Sequence, residues 1–123
     1  MLLLLTVNNE LKGTLPKELG KLTLLEEINF DNNEIEGTIP SEIANLPYLN
    51  TLMLSKNFIG GIIPKGIMNM TQLQYLGLRN NMLTGPIPTE IGIMNSLLDL
   101  RIDGNLLDVS YKPIKNVVPF AFV

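Results

Sequence analysis

An asparagine recurs every 24 residues along this chain, and this spacing limits what the chain can fold into. The five asparagines are Asn9, Asn33, Asn57, Asn81 and Asn105. A period in this range is typical of solenoid proteins, in which each unit buries its apolar face against the units stacked on either side. The chain is therefore predicted to be a repeat array.

Other residue types keep the same register as the asparagines. Written out, one unit reads LxxLxLxxNxLxGxIPxxIxxLxx. In the LxL segment two apolar residues alternate with a solvent-facing one, as a β-strand with one buried face requires. Strands from successive units are expected to pair in parallel, about 4.8 Å apart.

The repeated Asn, Gly and Pro are interpreted as structural residues. The chain must turn directly after each strand, and a buried turn leaves backbone groups without partners. An Asn amide supplies both donors and an acceptor, so stacked asparagines are expected to form a ladder. The Gly four residues later indicates a positive φ or a close approach, and the Pro seven residues later fixes φ at the edge of an extended segment.

This unit resembles the plant-type leucine-rich repeat. The segments EGTIPSEIANLPYL and TGPIPTEIGIMNSL match that motif almost residue for residue. The family occurs in ectodomains of receptor-like kinases and receptor-like proteins, in polygalacturonase-inhibiting proteins and in many algal proteins. The resemblance implies an α/β solenoid, curved and right-handed, with a concave parallel sheet, convex short helical turns and a second short strand around LxGxIP.

The same resemblance carries expectations about function. It implies a non-catalytic module of a receptor-like protein that binds a protein or peptide, or another leucine-rich repeat ectodomain, at the cell surface or outside the cell. Two alternatives stay open: an intracellular or structural interaction scaffold, and a truncated gene fragment without an autonomous role. A signal peptide, cysteine-paired caps and a transmembrane helix in the neighbouring coding sequence would favour the receptor.

The repeat register predicts where the array ends. Residues 1–107 form five repeats, of which the first and last are incomplete. Beyond Leu107 the register fails, because Val109 stands at the Gly position and Tyr111 and Lys112 stand at the Ile-Pro positions. Residues 108–123 are therefore predicted to be a non-repeat tail, either an improvised cap over the open core edge or the ragged end of a longer gene product.

The ends of the array lack the caps that secreted members of the family use. The chain has no Cys, so disulfides do not close it. The first repeat is expected to expose an apolar edge, which predicts self-association or fraying at the uncapped ends; the residues of that edge are Leu2, Leu4, Leu11 and Leu15. Residues 1–5 are interpreted as the first strand rather than a signal peptide, because no charged segment precedes them and no cleavage site follows.

Ligand binding is expected on the concave face, where side chains point to solvent and do not pack in the core. Strand alternation places the residues between the buried leucines in columns across the sheet. The candidate ligand-binding residues are Met53, Tyr75, Arg79, Arg101 and Asp103, because aromatic and Arg side chains are the usual anchors of interfaces. The alternative is that Arg79 and Arg101 only form exposed ion pairs with aspartates, which need no function.

Composition excludes several functional classes. The chain has no His and no Cys, and no glycine loop suited to phosphate follows a strand, so no catalytic residue, metal site or cofactor is predicted. The net charge is −3, so the chain has no excess of positive charge with which to bind nucleic acid. No apolar run approaches the roughly 20 residues of a transmembrane helix, so this chain is not expected to insert into a membrane.

Two further surface features come from the sequence. Asn69, Met70 and Thr71 form an N-glycosylation sequon on the predicted convex side, which matters if the chain is secreted and is a chance triplet otherwise. Phe58, Met82 and Leu106 each follow a repeated Asn and form an apolar ridge on the flank. This ridge is interpreted as a lateral contact or as surface covered by the tail.

Overall fold

The computed structural model describes residues 2–108, in which two sets of short strands are joined by 3₁₀ helices. The main sheet is parallel, and its order follows the chain: β1 (Leu2–Leu5), β3 (Leu25–Asn29), β5 (Thr51–Met53), β7 (Tyr75–Gly77) and β9 (Asp99–Arg101). The second strands are β2 (Lys12–Thr14), β4 (Glu34–Glu36), β6 (Gly60–Gly61), β8 (Met82–Pro86) and β10 (Leu106–Asp108). β2 pairs with β4, and β8 lies between β6 and β10.

Four 3₁₀ helices form the side opposite the main sheet. They span Lys17–Lys21, Ser41–Asn45, Lys65–Asn69 and Thr89–Ile93. The proline of each repeat directly precedes its helix, with φ between −76° and −57°, so the fixed proline φ leads the chain out of the extended segment. The predicted solenoid with its second strands is confirmed, and the helical turns are 3₁₀ rather than α.

The core is a single apolar column between the strands and the helices. In β5 the middle residue Leu52 is fully buried, whereas Thr51 and Met53 on either side are half-buried on the concave face. In β3 and β9 the buried residues Ile28 and Leu100 likewise stand between more exposed neighbours, because successive side chains point to opposite faces. The residues with no measurable exposure are Leu25, Ile28, Ile43, Leu49, Leu52, Leu54, Ile67, Leu73, Leu78 and Leu83.

The repeated asparagines form the predicted ladder, in which their side chains bond to backbone carbonyl and N–H groups rather than to one another. Asn57 Nδ2 donates to the carbonyl oxygens of Phe30 (2.9 Å) and Leu54 (3.1 Å), and its Oδ1 accepts the N–H of Ile35 (3.0 Å). The Phe30 oxygen also accepts from Asn33 Nδ2 at 2.9 Å. Each shared carbonyl therefore links two successive asparagines, and a polar turn is satisfied inside the core.

The first asparagine of the series is different. Asn9 is exposed and bonds within its own turn, from Nδ2 to Thr6 Oγ1 (2.8 Å) and to the Val7 carbonyl (3.3 Å). Within the described residues 2–108, no repeat precedes the one that contains Asn9. Asn9 is therefore an internal control for the ladder, because it is the same type of residue at the same repeat position but lacks the buried contacts.

Two positions in each turn adopt a left-handed backbone. The glycines four residues after the asparagines have φ between +75° and +95°, as the sequence predicts. The residue before each asparagine is also left-handed, a feature that the repeat spacing did not predict. These residues, with φ from +55° to +71°, are Asn8, Asn32, Lys56, Asn80 and Gly104. Asn and Gly adopt this region at low cost, whereas for Lys it costs more free energy.

Lys56→Asn is therefore expected to raise the free energy of unfolding by about 0.5 to 1 kcal/mol, because the left-handed region is less costly for Asn. Lys65→Asn makes the same charge change at an exposed residue of the third 3₁₀ helix and is expected to stay within about 0.5 kcal/mol of the wild type. Urea unfolding of both variants makes the comparison. Equal midpoints would contradict strain at Lys56.

The first repeat exposes part of the apolar edge expected from the sequence. Leu2 and Leu11 are exposed by 42% and 40%, and Leu4 is half-buried. Leu15 is only 7% exposed, so its inclusion in the open edge was wrong. It packs inward because the second repeat covers it, with Ile39 at the equivalent place.

The structure follows the array slightly beyond its predicted last residue. β10 includes Asp108 and pairs in parallel with β8. Residues 109–123 lie outside the described part of the chain. The predicted tail of residues 108–123, as a cap or as a ragged end, therefore stays a prediction.

Candidate functional site

The concave face carries the columns of side chains that the sequence predicts. The strand register pairs Thr51 with Tyr75 and Tyr75 with Asp99 in one column. It pairs Met53 with Gly77 and Gly77 with Arg101 in the next. Neighbours within a column lie one strand apart, so the five candidate residues, which come from three successive repeats, share one surface.

Gly77 is the centre of that surface. It has no side chain, and an added Cβ would lie 2.7 Å from Met53 Cε and 2.8 Å from Met53 Sδ. The Met53 thioether therefore lies across Gly77, where any larger residue would displace it. Tyr75 and Arg79 lie two residues before and after Gly77, and Arg101 is its partner on β9. Four of the candidate residues thus surround one glycine.

Strand alternation places Gly77 on the concave face, although the sequence alone assigns it no role. A glycine inside a strand is a signal that a side chain or a partner approaches the backbone closely. Here the approaching group is Met53, a flexible side chain that adapts to irregular space. The surface at Gly77 is therefore filled in the free protein by a group that moves at low cost.

Both arginines of the surface are held by aspartates. Arg79 donates from Nε (3.1 Å) and Nη2 (2.7 Å) to Asp103 Oδ2. Arg101 Nη2 lies 3.1 Å from Asp99 Oδ2. The hydrogen bond and charge of Asp99 raise the pKa of the Arg101 guanidinium. Exposed pairs of this kind contribute about 0 to 1 kcal/mol each, so their effect is to orient the arginines.

A chain of hydrogen bonds fixes the third column. Asp31 Oδ1 accepts the N–H of Ser55 (2.7 Å), and Ser55 Oγ accepts the N–H of Arg79 (3.2 Å). Ser55 is buried, and partial burial raises the pKa of the Asp31 carboxyl. Arg79 is therefore positioned through its backbone by Ser55 and through its guanidinium by Asp103. A side chain held from both ends loses little entropy on binding.

The concave face changes in character along the array. The first strand presents Leu5, exposed by 55%, and it is followed by Val7, exposed by 39%. The second repeat presents Glu27 and Asp31, and the last two repeats carry the paired charges. The concave face is therefore apolar in the first repeat, acidic in the second, and carries ion pairs between Arg and Asp in the last two. This gradient makes the two ends of the concave groove chemically different.

Comparison with known families decides the class of this fold. A sequence model described as "Leucine rich repeat" matches residues 23–83 and 47–107. The chain belongs to the leucine-rich repeat family. A search of curated protein sequences gave no significant match.

Solved structures similar to this leucine-rich repeat chain are plant receptor ectodomains from Arabidopsis thaliana. The ectodomain of the membrane receptor kinase GASSHO1/SCHENGEN3, with CASPARIAN STRIP INTEGRITY FACTOR 2, is 36% identical over 85% of this chain, with a TM-score of 0.82. The receptor kinase HAESA, with the peptide hormone IDA and the co-receptor SERK1, is 33% identical over 85%, with a TM-score of 0.81. A chain of the BIR3–SERK2 complex is 37% identical over 83%, with a TM-score of 0.78.

The leucine-rich repeat array here is short beside those proteins. It spans 13% of the GASSHO1/SCHENGEN3 chain, 18% of the HAESA chain and 55% of the BIR3–SERK2 chain. The matches establish the plant-type leucine-rich repeat architecture that the sequence motif predicts.

The flank of the leucine-rich repeat array carries the predicted apolar ridge. Phe58, Met82 and Leu106 are exposed by 56%, 53% and 68%. The equivalent residues of the first two repeats are Glu10 and Glu34, so the ridge is confined to the last three repeats. Whether the tail covers it concerns residues beyond 108 and stays a prediction.

Two kinds of feature are absent from the described part of the chain. Within residues 2–108 no helix is long and apolar enough to cross a membrane. Over the same residues, no group of three or more His, Cys, Asp or Glu side chains is placed to hold a metal ion.

Proposed function

We propose that this leucine-rich repeat array is a non-catalytic recognition module that binds a peptide or protein on concave strands β5, β7 and β9. The observation that carries the proposal is the cluster of Met53, Tyr75, Arg79 and Arg101 around Gly77. Aromatic, Met and Arg side chains are enriched at the centres of interfaces. A rigid parallel sheet holds these four in place before a partner arrives.

The similar structures support the choice of partner. GASSHO1/SCHENGEN3 was solved with CASPARIAN STRIP INTEGRITY FACTOR 2, and HAESA with the peptide hormone IDA and the co-receptor SERK1. A peptide is accordingly the first partner class we propose. The match within the BIR3–SERK2 complex makes a second leucine-rich repeat ectodomain the other class.

The proposed setting is the cell surface. The similar structures include the ectodomain of a plant membrane receptor kinase, and we infer that this array acts in recognition and signalling as part of a receptor-like protein. Within the groove, Glu27 and Asp31 disfavour an anionic segment over the second repeat. A bound peptide is therefore oriented with its acidic residues away from that repeat.

The test uses the full chain and linear peptides selected on it from a random display library. Tyr75→Ala combined with Arg79→Ala is expected to weaken the selected peptides by about 2 kcal/mol or more, because it removes two central anchors. Tyr75 is 40% exposed and the Arg79 side chain 41%, so the variant is expected to keep its fold. Titration calorimetry gives the affinities, and circular dichroism checks the fold.

Met82→Ala is the matched control, because Met82 is 53% exposed on the flank and lies outside the concave sheet. It is expected to change the affinity by less than about 0.5 kcal/mol. Wild-type affinity in the double variant, or a loss confined to Met82→Ala, would place the contact on another face. Failure of every library to yield a binder would count against peptide recognition itself.

A further inference from the structure

Asn69 begins the chain's one Asn-x-Thr triplet, and the binding proposal leaves this triplet without a role. Asn69 is the last residue of the third 3₁₀ helix, and its side chain is exposed, as is that of Thr71. Met70 between them is 4% exposed and packs in the core. The Asn69 amide and the Thr71 hydroxyl are therefore accessible to solvent, while the buried Met70 side chain between them fixes this segment to the core.

We propose that Asn69 carries an N-linked oligosaccharide when this chain passes through the secretory pathway, which rests on the proposed extracellular setting. The acceptor chemistry requires an Asn amide with a hydroxyl residue two positions later. The Asn69 amide nitrogen gives up one proton and forms a bond to C1 of the first sugar, while the bond between that carbon and the pyrophosphate of the lipid-linked oligosaccharide donor breaks. The oligosaccharide is transferred, and the lipid pyrophosphate leaves with the proton released to the solvent.

The fold accommodates a glycan at this place. The turn after the helix is held by main-chain bonds, because the Met70 N–H donates to the Ile67 carbonyl and the Leu73 N–H to the Met70 carbonyl. The Asn69 side chain is at the surface, so a bulky group attached to it displaces no core residue. Thr71 Oγ1 bonds locally to Gln72 Oε1 at 3.0 Å, away from the core.

The position of Asn69 separates a glycan from the proposed binding surface. The 3₁₀ helices lie on the opposite side of the core from the main sheet, with Ile67 buried on one side and Leu76 on the other. A glycan on Asn69 therefore shields the helical side of the third repeat. The cluster around Gly77 stays open to a peptide.

The preceding repeat offers a matched site that differs in one residue. Asn45 is the last residue of the second 3₁₀ helix, is exposed, and precedes the buried Leu46. Pro47 follows where Thr71 stands in the third repeat. Asn45 thus has the same placement without the hydroxyl, and Pro47→Thr supplies it.

The experiment translates the full chain, preceded by a cleavable secretion leader, in the presence of endoplasmic-reticulum microsomes. The wild type is expected to show one endoglycosidase-sensitive mobility step, Asn69→Gln and Thr71→Ala none, and Pro47→Thr two. Modification occurs on the nascent chain, so the count does not depend on whether a variant folds. A known glycoprotein in the same reaction confirms that the microsomes are active.

An unmodified wild type beside the modified control glycoprotein would overturn the proposal, as would a step that persists in Asn69→Gln. On secreted wild-type protein, native endoglycosidase treatment is expected to remove the glycan and leave peptide affinity unchanged within twofold. A larger change in affinity would contradict the separation of the two faces. Failure of peptide binding leaves the mobility steps unaffected, so the two proposals fail separately.

Discussion

Leu52→Ala is expected to lower the free energy of unfolding by about 2 to 5 kcal/mol, because it empties space in a core that cannot fully collapse. Leu52 has no measurable exposure and lies in the middle strand of the main sheet. A solenoid is stabilised by contacts between neighbouring repeats, so a cavity in the third repeat weakens its contacts with the second and the fourth. Urea unfolding followed by circular dichroism measures the loss.

Leu24→Ala removes the same atoms from a side chain that is 67% exposed, and is expected to change the free energy of unfolding by less than about 0.5 kcal/mol. Comparing the two variants separates the loss of core packing from any effect of the Leu-to-Ala change itself. A cost at Leu52 as small as that at Leu24 would mean that the central repeat is not closely packed.

Asn57→Ala is expected to lower the free energy of unfolding by about 1 to 3 kcal/mol, the cost of leaving a buried polar group without its partner. The group most affected is the N–H of Ile35, which donates to Asn57 Oδ1. The Phe30 and Leu54 carbonyls each keep a bond from a neighbouring asparagine, Asn33 and Asn81 respectively. The main loss is therefore the partner of one buried donor rather than the partners of the two carbonyl acceptors.

Asn9→Ala is the internal control for the ladder. Asn9 is exposed and bonds within its own turn, so its removal is expected to cost less than about 0.5 kcal/mol. Denaturation midpoints of the two variants, measured side by side, distinguish a buried ladder from a general need for Asn in the turn. Equal losses would show that the buried contacts of Asn57 are not what stabilises the array.

The architecture was predictable because each of its signals recurs in at least four of the five repeats. The apolar alternation, the Asn ladder, the glycines with positive φ and the prolines before the helices all follow from single residue types and their spacing. A position that repeats in register meets the same surroundings each time, so the physical requirement of one turn applies to all. The exception was Leu15, whose burial depends on the repeat stacked above it.

The candidate surface was predictable as a set of outward positions, and less so as a site. Strand alternation alone places Tyr75, Arg79 and Arg101 on one face, and the Arg79–Asp103 pair was foreseen as an alternative to binding. The left-handed backbone of Lys56 was missed, although Asn stands at the equivalent position in three other repeats and Gly in a fourth.

The repeat, the parallel sheet and the columns of side chains follow from residue spacing alone, because backbone geometry converts spacing directly into position. Tertiary packing is what sets the Met53 thioether across Gly77 and joins Asp31, Ser55 and Arg79 in one chain of hydrogen bonds. These contacts join residues 24 positions apart in sequence. The rotamer of each side chain depends on its neighbour one strand away, and that dependence is set by packing rather than by local sequence.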